Sequence, residues 1–84
     1  MEEKVGVVED YFARVGVAGM RITEGRLRTG DTIHIKGHTT DITFKIDSME
    51  IEHVKVEEAK VGDDVGIKVA ERIRSGDVVY LVRE

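Results

Sequence analysis

The sequence contains no cysteine, no proline and no tryptophan. The missing cysteine excludes disulfides, thiolate nucleophiles and zinc sites built on sulfur. A charged share of 36% is of the kind met in thermophile proteins. Two tyrosines and two phenylalanines leave little for a base-stacking platform, which needs exposed aromatics. No apolar run approaches the roughly 20 residues of a membrane span. The opening MEEKVGVVEDYF lacks the basic-then-apolar pattern of a signal peptide. These absences predict a soluble, unanchored, cytoplasmic protein.

What is present fits one domain, residues 1–84. A chain of this size buries roughly 60–68% of its unfolded surface, so its core is thin. The net charge is −4, which argues against holding nucleic acid by bulk charge and against DNA as a partner. The charge is unevenly spread. Residues 13–45 carry six basic and three acidic groups, whereas residues 46–84 carry six and ten. A local basic face on an acidic protein is therefore one expectation, and a solvated mixed-charge surface is the other.

The pattern is organised around Leu27 to Asp41. Thr29-Gly30-Asp31 supplies a reversal, Thr32 to Lys36 alternates with Ile33 and Ile35 on one face, and Gly37 to Thr40 breaks the run. The Gly-Asp signal returns at Gly62-Asp63 and Gly76-Asp77, each ahead of a β-branched run. Further strands are expected at Val5 to Phe12 (Val5, Val7 and Tyr11 or Phe12 inward), Val17 to Thr23, Ile42 to Asp47, Val65 to Val69 and Val78 to Val82. Gly19 suggests a bulge or a close backbone approach. The alternation slips at Ser48, so Met49 and Ile51 take the opposite parity. Val54 to Lys60 contains helix formers but is too short for an independent helix, and reads as irregular chain. Ala70 to Arg74 reads as a loop. Six short antiparallel strands must close on themselves or form a sandwich, and 84 residues favour closure. The expected fold is all-β: a small closed six-stranded antiparallel Greek-key β-barrel.

Four segments carry a family resemblance. They are Gly25 to Ile33, Ile46 to Ile51, Ala59 to Ile67, and Arg74 to Val79. In this order and spacing the chain resembles domain 2 of the translational GTPases, the β-barrel of elongation factor Tu and initiation factor 2. Ile35 to Asp41 resembles a run found in small stand-alone proteins made only of this barrel. Similar barrels are also appended to collagenase-like peptidase-family proteins linked with RNA modification. There is no G-x-x-x-x-G-K-[ST] loop, so no GTP site is expected. The resemblance implies a non-enzymatic, translation-associated module contacting tRNA, rRNA or the ribosome. It also implies a place for Glu50, which matches a glutamate lying against the terminal base of aminoacyl-tRNA in elongation factor Tu. Glu52 stands where that factor has an aromatic.

The expected contact surface is Arg14, Arg21, Arg26, Arg28, Lys36, His38, Thr39, Thr40, Lys45 and Glu50. The turn from His38 to Asp41, beside Lys36 and Lys45, offers groups for a phosphate or sugar edge, or simply fixes a hairpin through side chain–backbone bonds. His34 and His38 stand roughly 13 Å apart along a regular strand, too far to share a metal near 2 Å. No metal or other cofactor is expected. Glu57, Glu58, Asp63 and Asp64 read as a solvated cluster rather than an acid–base pair. No nucleophile–base arrangement is visible, and a barrel this small is filled by its own side chains, so no catalysis is expected. The alternative reading is a protein-interaction module acting in trans with an enzyme, such as one involved in RNA modification, through an uncovered sheet edge or apolar patch.

Overall fold

The computed structural model describes residues 1–83 and is built from strands without helices among them. Ten strands occur in chain order. They are β1 (Glu2–Phe12), β2 (Val17–Ile22), β3 (Arg26–Arg28), β4 (Thr32–Lys36), β5 (Asp41–Lys45), β6 (Met49–Ile51), β7 (Val54–Val56), β8 (Glu58–Lys60), β9 (Asp64–Lys68) and β10 (Val78–Val82). Eight form one sheet in the order β5-β4-β10-β1-β2-β9-β6-β7, and β3 pairs with β8 in a separate ribbon. Each of these ladders is antiparallel.

Alternation builds the core. Ile33 and Ile35 on β4, Met20 and Ile22 on β2, Val65 and Ile67 on β9, and Val79 and Leu81 on β10 all turn inward. They meet Leu27 and Ala59, one from each strand of the ribbon, both fully buried. The sheet therefore curls round one core, with the ribbon filling it from the side. Two bulges set the phase of β1. Val5 is the extra residue against β10, and Glu9 is the extra residue against β2. Each extra residue shifts the inward parity. Hence Val5 and Val8 are buried, Val7 is only half-buried, and Phe12 is 54% exposed.

The three Gly-Asp signals are one turn used three times. Gly30, Gly62 and Gly76 have φ of 96°, 94° and 96°. They occupy the third position of a type II turn, where positive φ favours glycine. The following aspartate closes each turn twice. Its N–H donates to the carbonyl three residues back, and its carboxylate accepts that residue's N–H: Arg28 to Asp31 at 2.8 Å, Lys60 to Asp63 at 2.8 Å and Arg74 to Asp77 at 2.9 Å. Asp77 is buried, unlike its two counterparts.

Two expectations are corrected. The closed six-stranded Greek-key barrel becomes a ten-stranded arrangement, because β3, β6, β7 and β8 have three residues each, too few to display alternation. Closure is not seen: among the described residues no ladder joins the outer strands β5 and β7. Val54 to Lys60 is not irregular. It supplies β7 and β8, since cross-strand partners override local helix preference. Ala70 to Arg74 does lack a strand, and its Ile73 is buried in the core.

Candidate functional site

The expected contact residues lie on several separate elements. Arg14 is exposed between β1 and β2, while Arg26 and Arg28 flank Leu27 on the ribbon. Lys36 pairs with Asp41 and Lys45 with Thr32. The two lysines thus sit at opposite ends of the β4–β5 ladder, roughly 13 Å apart by strand rise. His38 and Thr39 are exposed in the intervening turn, and Thr40 is buried there. Glu50 occupies the middle of β6.

Several of these cations already have partners. Arg21 donates to both carboxylate oxygens of Asp64, at 3.0 and 3.1 Å, and stands 3.5 Å from Glu9. The hydrogen bond to Arg21 holds the Asp64 carboxyl below the usual carboxylate range. Arg26 and Arg28 lie 3.2 and 4.0 Å from the Glu58 carboxylate. Exposed pairs of this kind contribute little stability, but they lower the positive charge these side chains present to a polyanion.

His34 is engaged on both ring nitrogens. Nδ1 is 2.9 Å from Glu2 and Nε2 is 2.5 Å from Asp41. Only an imidazolium donates from both nitrogens. These hydrogen bonds, the one donated to Glu2 first and the one donated to Asp41 second, raise the His34 pKa above its ordinary value. The ring also lies against Tyr80, with centroids 6.1 Å apart. His34 therefore ties β4 to β5 and to the start of β1.

The feature that sequence reasoning did not assemble is a surface groove of about 650 Å³ across β1, β2, β9 and the β6–β7 hairpin. Gly19 on β2 and Gly66 on β9 are paired directly opposite each other and form its floor. Phe12 and Val15 form an apolar wall, 54% and 59% exposed. Glu9, Asp10, Glu50, Glu52 and Asp64 supply carboxylates along it. Glu52 and His53 close one end as a two-residue turn between Ile51 and Val54, with φ of 51° and 65°. Positive φ at both central positions is the type I′ hairpin geometry, which Asn-Gly normally occupies. A second groove, about 380 Å³, lies between the β5 edge and residues 68–71.

The groove lies on a fold with known counterparts. Residues 16–80 match the family described as elongation factor Tu domain 2. The chain belongs to that family. An uncharacterized protease of Methanocaldococcus jannaschii is 40% identical over 82 residues, which is 96% of this chain and 20% of that protein. A collagenase of Porphyromonas gingivalis is 39% identical over 77 residues, covering 90% of this chain and 21% of the collagenase. The chain thus spans about a fifth of the length of the curated relatives it matches. Among solved structures, the C-terminal domain of a Geobacillus thermoleovorans protein named as a U32 peptidase superposes with a TM-score of 0.88 at 20% identity. That match covers 96% of this chain and 93% of that domain. Its selenomethionine variant gives 0.85 at 21% identity, with 92% and 96% covered. At such identity these two structures establish the fold.

These relatives correct the functional expectation. The elongation-factor fold stands, but the relatives are proteases and collagenases, not translation factors or RNA-binding proteins. The reading as a translation-associated RNA module is overturned, and the alternative reading, a module working with an enzyme, is the closer one. Among the described residues no helix is long and apolar enough to cross a membrane, which says nothing of spans made by strands.

Proposed function

We propose that this chain is a non-catalytic, protease-associated interaction module, one that docks on the catalytic portion of a U32-type peptidase or collagenase-like enzyme. The observation that carries this reading is the division of the protease relative. Nearly the whole of this chain aligns with only 20% of that protein, which leaves the larger part to hold a catalytic centre. The arrangement of the chain's own polar groups supports it. Both nitrogens of His34 are taken up by carboxylates, so that imidazole has no free lone pair to serve as a base. The carboxylates of the large groove lie open to solvent rather than in the dry pocket that acid–base work uses. A cytoplasmic home belongs to the same reading, since a cysteine-free chain suits a reducing compartment.

The test combines the chain with a U32-type peptidase polypeptide lacking its own copy of this domain. Isothermal titration should show a saturable one-to-one complex, and the chain alone should cleave neither gelatin nor a mixed peptide library. Cleavage by the purified chain alone would overturn the non-catalytic part of the reading. Failure to bind the peptidase polypeptide would overturn the docking part.

A further inference from the structure

We infer that the groove floored by Gly19 and Gly66 is a docking site for a cationic, extended segment of a partner polypeptide, which lays an apolar side chain against Phe12 and Val15. This deepens the proposed role, and it rests on that role only for the identity of the partner. Three observations carry it.

The glycine pair comes first. A glycine inside a strand is destabilising by roughly 0.5–1 kcal/mol relative to alanine. It is retained where the backbone needs positive φ, where a side chain would clash, or where something else approaches closely. Neither Gly19 nor Gly66 has positive φ. A methyl at Gly19 would sit 3.6 Å from Asp10 Cβ and 3.8 Å from the Phe12 ring. One at Gly66 would sit 3.4 Å from Val17 and 3.8 Å from the Glu50 carbonyl. These are ordinary contacts, so the fold itself does not demand glycine at either place. By contrast, a Cβ at Gly6 would overlap the Arg21 carbonyl, and there the fold does demand it. Two facing glycines that the fold does not require leave a bare trough in the sheet, open to a foreign backbone.

The charge comes second. Five carboxylates line the groove, and the Arg21 guanidinium beside them is already shared between Asp64 and Glu9. Lys55 faces Glu50 across the β6–β7 ladder and Lys68 borders the continuation of the groove, but neither is ion-paired to these carboxylates among the described residues. The field favours lysine or arginine and repels phosphate. The apolar wall comes third. Phe12 and Val15 are exposed side by side along an acidic rim, the pattern of an anchor pocket with a polar border.

The experiment titrates the ¹⁵N-labelled chain with three probes: an octapeptide alternating arginine and leucine, its glutamate–leucine counterpart, and an oligouridine decamer. The cationic peptide should shift the Gly19, Glu52 and Gly66 amides at micromolar to millimolar concentration, and more weakly as salt rises. The acidic peptide should leave them unmoved. Glu50→Gln with Glu52→Gln should weaken binding about three- to tenfold, since each removes one exposed charge contact. Gly19→Ala with Gly66→Ala should melt no lower than the parent yet bind at least about tenfold more weakly. No groove shifts with the cationic peptide, equal binding by the alanine pair, a lowered melting temperature of that pair, or tighter binding by oligouridine would each overturn the inference. The peptidase polypeptide separates the two proposals. Undiminished binding of that polypeptide to the Glu50→Gln, Glu52→Gln chain overturns the groove and keeps the docking role. Peptide binding without peptidase binding keeps the groove and overturns the docking role.

Discussion

The Glu52–His53 turn should be improvable, and by a predictable amount. Both residues have left-handed backbone, with φ of 51° and 65°. That region costs a residue with a Cβ roughly 1–2 kcal/mol relative to its usual conformations. Glycine at position 53 removes that cost but gives back about 0.4–1 kcal/mol through the greater freedom of the unfolded chain. Asparagine at position 52 recovers a smaller part, because its short side chain tolerates this region. The double variant Glu52→Asn, His53→Gly installs the favoured type I′ pair and should gain about 1–1.5 kcal/mol. For a domain of this size that corresponds to about 5–10 °C in Tm. Thermal melts by circular dichroism, with urea titration at unchanged m-value, measure it. An unchanged or lowered Tm would refute the reasoning: the turn would then be held by side-chain contacts worth more than its strain. The same variant removes one groove carboxylate, so stability and cationic-peptide binding should move in opposite directions. That is the signature of strain kept for a surface rather than for the fold.

Leu27→Ala, on the three-residue strand that fills the core, should cost about 2–5 kcal/mol, a large share of the roughly 5–15 kcal/mol that holds a domain together; urea midpoints read it. Gly37→Ala places a Cβ on Oδ1 of Asp77 and should destabilise by about 1–3 kcal/mol, with a less than additive effect in the Asp77→Ala background, checked by a double-mutant cycle. The raised folded-state pKa of His34 gives its own sign. Its stabilising contribution is fully present below the ordinary histidine value near 6.5 and is lost as pH rises through the folded value. The parent should therefore lose more stability than His34→Gln between about pH 6 and pH 9, measured by urea unfolding across that range.

What could be read from the sequence was local. Gly30-Asp31, Gly62-Asp63 and Gly76-Asp77 each complete their hydrogen bonds within four residues, so the recurrence of two letters was enough to identify the turns. The five-residue strands β4, β9 and β10 were long enough to show alternation. The Glu52–His53 reversal was not legible because it lacks the glycine that advertises such a turn. On β1, Val5 and Tyr11 do face the core as expected, but Val8 rather than Val7 is buried between them, because the extra residue at Val5 is defined by its partner β10, far along the chain. The basic residues show the same limit. Arg21 meets Asp64 across 43 positions, and Arg26 meets Glu58 across 32. A count of cations along a segment cannot register partners that the fold brings in from elsewhere.

Gly19 gathers this argument into one residue. Its place in a strand suggests a bulge or a close backbone approach. The structure puts the bulge next to it, at Glu9 on the neighbouring strand, and gives Gly19 a regular pairing with Gly66. Alone, either glycine is a weak spot in a strand. Facing each other, they make a strip of bare backbone beside two exposed apolar side chains and five carboxylates. The pair exists only because β9 lies beside β2, a neighbour relation set by the fold. A site of this kind has no motif, since its defining feature is the absence of side chains at two positions 47 apart in sequence. The fold-level resemblance pointed to translation because elongation factors share the sheet. The proposed docking site rests instead on the surface chemistry around that strip, acidic and apolar, which favours a cationic protein segment over a polyanion.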